Sequence, residues 1–178
     1  MTCGLLRAKN DYVFAQNDYD LGFCEIFRSI DAIIRTSKKG RRCMVYYTGD
    51  IHGNAKAIVA FAQYFELTES DTIVILGDVG ANYYGNRRDR YCKDALARIK
   101  PTVFCIHGNH ERRPDTLTGY KQKEWNSGLV WYEDEYPNLL FARDGDIFTM
   151  EGTRHLVIGG AYSVDKYYRL ENDLLWFA

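Results

Sequence analysis

Short apolar runs alternate with polar or amphipathic segments between residues 44 and 106. The runs 44–47, 72–76 and 102–106 have the length and apolar character of buried strands. Between them, segment 55–65 places its apolar residues at helical spacing, and segment 89–99 is predicted as a second helix. The order strand, helix, strand, helix, strand predicts an α/β domain with a parallel sheet.

The pattern after residue 123 is strand-like. Turn residues such as Pro137-Asn138 and Asp144-Gly145 separate four short runs, which are 128–132, 139–142, 147–150 and 155–158. Each run is predicted as a further strand of the same domain.

Residues 1–43 differ from the rest of the chain. They carry eight basic and five acidic residues and end in the polar stretch 37–42, which has the composition of a linker. Segment 23–34 has the apolar spacing of one amphipathic helix. Because Met44 opens the first core strand directly, we divide the chain into an N-terminal extension at 1–43 and a domain at 44–178. The extension is interpreted as an appended arm, a poorly ordered tail or an over-called start of the reading frame.

The composition is that of a globular protein. Of the 178 residues, 46% are hydrophobic and 15% aromatic, and 23 basic residues face 24 acidic ones. The chain therefore has no bulk charge to attract nucleic acid or an anionic membrane, and no stretch approaches the roughly 20 apolar residues of a membrane span. Five widely spaced cysteines without a CxxC pair, and no recognisable signal peptide, favour the cytoplasm.

Polar motifs follow directly after the three predicted core strands. They are Gly49-Asp50-Ile51-His52-Gly53-Asn54, Gly77-Asp78-Val79-Gly80 and Gly108-Asn109-His110-Glu111. Asp50 and Asp78 are 28 positions apart and Asp78 and Asn109 are 31 apart, about one strand–helix–strand unit in each case. Because right-handed crossovers bring parallel strands to end on the same edge of a sheet, we expect these motifs to meet there.

Carboxylate, imidazole and amide donors at one sheet edge predict a site for two divalent cations. A carboxylate can bridge two metal ions, imidazole suits manganese, iron or zinc, and an amide carbonyl adds a neutral oxygen. Asp50 or Asp78 taken alone has an ordinary explanation as a turn or helix-cap residue. Metal binding is favoured because His52 and the third motif accompany them.

The three motifs, in this order and at this spacing, resemble those of the calcineurin-like metallophosphoesterase superfamily. Segment 159–166 resembles a strand and loop of its bacterial and phage branch. The resemblance covers residues 44–178 and implies a four-layer αββα sandwich that is incomplete at the C-terminus.

The resemblance also implies roles for the polar residues. Asp50 and His52 would bind the first metal ion, Asp78 would bridge both ions and Asn109 would bind the second. The ions would generate a hydroxide and clamp the phosphate, while His110 would protonate the leaving group. Manganese is the expected metal, with iron, zinc or magnesium as alternatives.

Two positions depart from the family's pattern. Relatives usually carry a second acid shortly after the bridging aspartate, which orients the catalytic histidine, and this chain has Gly80 there. Many relatives also have arginine before the Gly-Asn-His motif, where this chain has His107. Phosphate binding is therefore assigned to His107, Arg112 and Arg113, with Arg87 and Arg88 nearby in sequence. The ordinary alternatives are a structural histidine and a solvated arginine face, and Tyr83, Tyr84 and Tyr162 are further candidates to line a pocket.

The family's later histidine motifs do not occur in this sequence. Relatives supply a lone histidine and then Gly-His-x-His, whereas here only His155 remains, and it precedes a strand instead of following one. The second metal ion is therefore expected to bind weakly. The chain ends in the apolar stretch 174–178, from which we expect a truncated domain and self-association through that end.

The leading interpretation is a metal-dependent phosphoesterase that acts on a phosphorylated substrate, with activity impaired by the missing histidines. The alternative is a non-catalytic protein-interaction module on the same fold, because a fold does not by itself fix a function. A nuclease of the same superfamily, using the same metal ions, is a third interpretation.

Overall fold

The computed structural model of the chain describes residues 7–8, 11–13, 43–160 and 166–174. The strands in these ranges are β1 (Arg7–Ala8), β2 (Asp11–Val13), β3 (Val45–Thr48), β4 (Thr72–Leu76), β5 (Thr102–Ile106), β6 (Lys121–Trp125), β7 (Gly128–Tyr132), β8 (Leu139–Ala142), β9 (Ile147–Met150) and β10 (Thr153–Leu156). The helices are α1 (Lys56–Tyr64), α2 (Arg87–Ala97) and α3 (Lys166–Glu171), with a short 3₁₀ helix at Pro114–Thr116.

Helices α1 and α2 connect the central strands. α1 buries Ile58, Phe61 and Ala62, which recur at three- and four-residue spacing on one face. α2 begins after Asn86, whose side chain accepts a hydrogen bond from Arg88 N at 2.9 Å, as helix N-cap residues do. α2 therefore begins two residues before the predicted position, because the N-cap residue and not the apolar spacing determines where a helix begins.

The large sheet has the strand order β1-β2-β3-β4-β5-β8-β7-β6. Strands β2, β3, β4, β5 and β8 pair in parallel, whereas β1, β7 and β6 pair antiparallel with their neighbours. Thr48 lies opposite Ile75, and Leu76 lies opposite Ile106. The strands β3, β4 and β5 therefore end at one edge, and each of the three polar motifs begins there.

The central strands are buried on both faces. One face, with Ile75 at its centre, packs on α1 and α2 through residues such as Leu96. The other face includes Val74 and Phe104, and Phe104 contacts Phe148 of the separate β9–β10 sheet at a ring separation of 4.8 Å. The described residues thus form a helical layer, a large sheet and a small sheet, the order expected for the first three layers of the predicted sandwich.

Most predicted strands are confirmed. The runs 72–76, 102–106, 128–132, 139–142 and 147–150 coincide with β4, β5, β7, β8 and β9. The last run is wrong by two residues: β10 is Thr153–Leu156 and not 155–158, because a tight turn pairs it with β9 and sets its register. Among the described helices, none combines the length and the apolar character needed to cross a bilayer.

Part of the N-terminal extension lies at the edge of the large sheet. β2 pairs in parallel with β3, with Tyr12 opposite Tyr46, and β1 pairs with β2. The predicted helix at 23–34 lies outside the described residues. The division into an extension at 1–43 and a domain at 44–178 stays a prediction.

The β8–β9 turn is tied to β7 by Asp146, and this contact predicts a pH-dependent contribution to stability. The Asp146 carboxylate accepts hydrogen bonds from the Arg143 guanidinium at 2.7 Å and from Leu129 N at 2.7 Å. Arg143, and then the Leu129 N–H, hold the pKa of Asp146 below its ordinary value. A lowered pKa in the folded state stabilises the fold only while the carboxylate is charged.

We expect Asp146→Asn to lower the free energy of unfolding by about 1 kcal/mol at pH 6. The difference from the unsubstituted protein should shrink as the pH falls below about 4, through the pKa of the folded state. Urea unfolding of both proteins at pH 6 and pH 3 measures this. A difference of the same size at both pH values would contradict the expectation.

Candidate metal centre

Backbone hydrogen bonds hold the loops that follow β3 and β4 against each other. His52 N donates to Asp78 O at 2.8 Å, and Gly53 N donates to Val79 O at 2.8 Å. Asp50, His52 and Asp78 all have positive φ, of 53°, 43° and 46°. Such conformations cost roughly 1 kcal/mol or more for a residue other than glycine, and they cluster at functional sites. The two paired loops therefore fix three of the four predicted ligands in strained conformations.

His52, Asp78 and His110 meet at the tips of β3, β4 and β5. One ligand atom from each residue lies within 4.8 Å of the other two. Two imidazoles and one carboxylate at this separation suit a divalent ion such as manganese, iron or zinc. The structure thus brings together two predicted metal ligands, His52 and Asp78, and the predicted proton donor, His110, and the imidazole and carboxylate of the two ligands fit the implied metal.

Asp78 also lines a cavity of about 310 Å³ together with Asp50 and Asn109. Among the described residues, no group forms a hydrogen bond with Nδ2 of Asn109, so a polar atom is left unsatisfied beside this cavity. Asp50, Asp78 and Asn109 therefore face one cavity, in agreement with the expectation that the strand tips meet. Their individual roles as ligands stay predictions.

Asp78 makes two contacts with His110. Oδ1 of Asp78 accepts a hydrogen bond from His110 N at 3.0 Å, and Oδ2 lies 3.4 Å from His110 Nδ1. Position 80, which lacks the expected second acid, has no room for any side chain. A Cβ on Gly80 would lie 2.4 Å from Gly53 N, and the φ of Gly80 is +72°. Asp78 therefore contacts the imidazole that the second acid was expected to orient.

Glu111 lies beneath the loops and connects them. Its side chain is buried, and Oε1 accepts hydrogen bonds from Val79 N at 3.3 Å and Gly108 N at 3.0 Å. Burial raises the pKa of Glu111 to about 7, against the effect of these N–H groups. Gly108 lets the loops approach, since a Cβ there would lie 2.0 Å from Asp78 Oδ1. Glu111 belongs to the third motif, but its position in the sequence did not indicate this role.

His107 lines the 310 Å³ cavity and is buried beside Asp144. Its Nδ1 lies 3.7 Å from Asp144 Oδ2, and Arg113 forms an ion pair with the same carboxylate. Burial lowers the pKa of His107, Arg113 adds to this effect and Asp144 opposes it. Burial alone would raise the pKa of Asp144, but hydrogen bonds from Arg113 and Gly159 N hold it below its ordinary value. Arg113 is thus engaged with Asp144. Phosphate binding by His107 and Arg113 stays a prediction.

Arg112 and His155 each contact a residue outside the three motifs. The backbone N of Arg112 donates to Asn82 O at 3.0 Å, and neither Arg112 nor Arg113 lines the two cavities that adjoin the motifs. Phosphate binding by Arg112 stays a prediction as well. His155 lies within β10 of the small sheet, so its expected position before a strand is wrong, and its Nε2 is 3.2 Å from the Tyr47 hydroxyl oxygen. Residues 161–165 of the family-like segment, including Tyr162, and residues 175–178 of the apolar end lie outside the described residues.

A second cavity of about 640 Å³ adjoins His52 and His110. Its walls carry aromatic and basic side chains, which are Tyr83, Tyr84, Arg87, Arg88, Tyr91 and Arg169. Tyr83, Tyr84, Arg87 and Arg88 were candidates from their positions in the sequence, whereas Tyr91 and Arg169 were not. Arg169 lies on α3, far along the chain from the three motifs, and no sequence signal connects it with them.

Comparison with known proteins supports the interpretation of these motifs. No curated protein and no solved structure matches this chain. Residues 44–178, more than half of the chain, match the calcineurin-like phosphoesterases. The mainly parallel sheet with flanking helices agrees with that fold, so the predicted fold class is confirmed, whereas the bacterial and phage branch stays a prediction. The chain belongs to the calcineurin-like phosphoesterase family.

Proposed function

We propose that this chain hydrolyses phosphate esters with the help of two divalent cations. The observation that carries the proposal is the convergence of His52, Asp78 and His110, whose ligand atoms lie within 4.8 Å of one another. Membership of the calcineurin-like phosphoesterase family supports the reaction class. The substrate is a phosphorylated molecule, and its ester is a monoester or a diester.

Four residues would hold the cations. In the proposed arrangement Asp50 and His52 bind the first ion, Asp78 binds both and Asn109 binds the second. Manganese is the proposed metal, with iron, zinc or magnesium as alternatives, because the imidazole suits iron and zinc and the carboxylates suit manganese and magnesium. Two assigned donors, Asp78 and Asn109, would hold the second ion less tightly than three hold the first. When bound, the ions would supply an activated water and neutralise charge on the phosphate.

His110 is proposed to protonate the leaving group. Its imidazole lines the 640 Å³ cavity, the space that a leaving group would occupy beside the cluster. Asp78 positions the ring through the contact at Nδ1 and the hydrogen bond to the backbone N–H. A positioned general acid typically accelerates such a step by about 10²–10⁴-fold.

Hydrolysis of p-nitrophenyl phosphate and of bis-p-nitrophenyl phosphate tests the function and separates a monoesterase from a diesterase. We expect activity with added MnCl₂, none in EDTA, and binding of Mn²⁺ to the protein by isothermal titration calorimetry. Preference for the diester would favour the nuclease interpretation. Failure to hydrolyse either ester, with Mn²⁺ bound at saturation, would remove the proposal.

A non-catalytic interaction module is the alternative function, and exposed apolar side chains favour it. Leu156, Ile158 and Leu170 are each more than half exposed, and Ile158 also lines the 310 Å³ cavity. This function predicts association of the chain with itself or with a partner in the absence of metal, together with no hydrolysis of either ester. Sedimentation in EDTA, compared with sedimentation in MnCl₂, distinguishes it from the enzyme.

The compartment proposed for the protein is the cytoplasm. Cys92 and Cys105 are free and buried in the core, and Cys43 is free and exposed. Burial raises the pKa of the Cys92 thiol to about 12, so this thiol stays protonated and unreactive. Free thiols of this kind suit a reducing compartment.

A further inference from the structure

The 640 Å³ cavity beside His52 and His110 extends well beyond the predicted metal centre. A cavity of this volume is in the range that holds a whole small-molecule ligand, and a single phosphate group would fill a small part of it. Its far wall is built by the loop before α2, by the first two turns of α2 and by α3. The cavity therefore has room for most of a substrate and not only for its reacting group.

The far wall is positively charged. The guanidinium-bearing residues Arg87, Arg88 and Arg169 line it, and no carboxylate does so within the described part of the chain. Asp89 lies next to them in sequence, but it is buried, and its oxygens accept hydrogen bonds from Tyr84 N at 3.0 Å and Gly85 N at 2.7 Å. Three guanidinium groups beyond the reacting centre match a ligand with a negative charge besides the scissile phosphate.

The same wall presents aromatic rings. Tyr84 is 45% exposed and Tyr91 is 69% exposed, so ring surface at the cavity remains accessible. Arg88 lies over the Tyr84 ring at 4.9 Å from its centroid, and Tyr83 packs against Tyr84 at a ring separation of 4.6 Å. Arg169 donates a hydrogen bond to the Tyr83 hydroxyl. The Asp89 contacts fix the loop that carries Tyr84 onto α2, so the aromatic wall is arranged before any ligand binds.

Tyrosine and arginine side chains on one cavity wall can bind bases by stacking and phosphates by ion pairing. We propose that the cavity binds a nucleotide, with its base against Tyr84 and Tyr91 and a second phosphate against Arg87 and Arg88. The inference rests on the proposed function, because it makes the nucleotide the substrate whose scissile phosphate reaches His52, Asp78 and His110. A mononucleotide with two phosphates and the end of a nucleic-acid strand share this chemistry.

Binding in EDTA tests the inference without relying on hydrolysis. The probes are adenosine 3′,5′-bisphosphate, pyrophosphate as the two-phosphate ligand without a base, and phosphotyrosine as an aromatic phosphate with one phosphate group. A short single-stranded DNA with a 5′-phosphate represents the nucleic-acid source. By isothermal titration calorimetry on the full chain, we expect the bisphosphate to bind at least about tenfold more tightly than pyrophosphate and phosphotyrosine.

Variants assign the binding to the two kinds of side chain. Tyr91→Ala should weaken bisphosphate binding about tenfold and leave pyrophosphate binding unchanged, because the exposed ring contributes stacking alone. Arg88→Gln should weaken binding of both ligands. The matched controls are Tyr64→Ala and Arg98→Gln, exposed positions outside the cavity, which should change neither.

The outcomes separate this inference from the proposed function. Equal affinity for bisphosphate and pyrophosphate, or tighter binding of phosphotyrosine, would overturn the nucleotide assignment even if both nitrophenyl esters were hydrolysed. Base-dependent binding without hydrolysis of either ester would support the nucleotide site and contradict the proposed hydrolysis. Tighter binding of the DNA than of the bisphosphate identifies a strand as the source, and the reverse identifies a free nucleotide.

Discussion

Replacing Asp78 by Asn is expected to reduce manganese-dependent hydrolysis of p-nitrophenyl phosphate by at least about 100-fold. Asp78 is the residue shared by the two sides of the site, since it approaches His52 and His110 and also lines the cavity with Asn109. The amide of Asn is neutral and a poorer bridging ligand than a carboxylate. Both proposed cations should therefore bind less tightly, and Mn²⁺ titration calorimetry should show a weaker affinity.

The fold should survive the Asp78→Asn substitution. In the unsubstituted protein, His110 N donates a hydrogen bond to Oδ1 of Asp78 at 3.0 Å. The side-chain oxygen of Asn can accept the same hydrogen bond. The thermal midpoint in EDTA should therefore stay close to that of the unsubstituted protein. Asp134→Asn is the matched control, because Asp134 is an exposed acid that pairs with Lys121 on the surface. Equal hydrolysis rates for Asp78→Asn and the unsubstituted chain would show that the centre is not catalytic.

Replacing Glu111 by Ala is expected to lower the free energy of unfolding by about 3 kcal/mol. The substitution removes the buried acceptor of the Val79 and Gly108 N–H groups, and each buried N–H left without an acceptor costs about 1–3 kcal/mol. Loss of the side chain also leaves a small cavity beneath the loops. Because those loops carry Asp78 and Asn109, Mn²⁺ affinity should fall together with stability.

Glu111→Gln distinguishes the hydrogen bonds from the charge. Gln keeps an oxygen acceptor of similar position, so it should retain more of the stability than Ala does. Urea unfolding in EDTA at pH 7 measures both variants, and Glu124→Ala, at an exposed position on β6, should change stability by less than about 0.5 kcal/mol. An unfolding midpoint for Glu111→Ala that equals the unsubstituted value would show that Glu111 does not hold the loops together.

The central sheet could be predicted from the sequence because its strands are buried on both faces. The strand Thr72–Leu76 is apolar after its first residue and is followed at once by a polar motif, so its C-terminal limit is visible in the sequence. β6 could not be predicted in the same way. Its sequence KQKEW is mostly polar, because β6 lies at the edge of the sheet. Antiparallel pairing with β7, and not the composition of the segment, makes it a strand.

The meeting of the three motifs was also determined by the sequence. Strand–helix–strand spacing and the fixed hand of the crossover direct successive parallel strands to end at one edge, so Asp50, Asp78 and Asn109 had to approach one another. Their residue types then pointed to metal ions before any distance was known.

Only the tertiary structure decided which groups support and surround that centre. Glu111 became a link between two loops, and Asp78 came to contact the His110 ring, because these contacts depend on how the loops pack. Arg169 reached the wall beside Tyr83 from a helix distant in sequence. Local periodicity and motif spacing predict the helices and strands and their order along the chain. Contacts between distant side chains depend instead on packing, which no short stretch of sequence encodes.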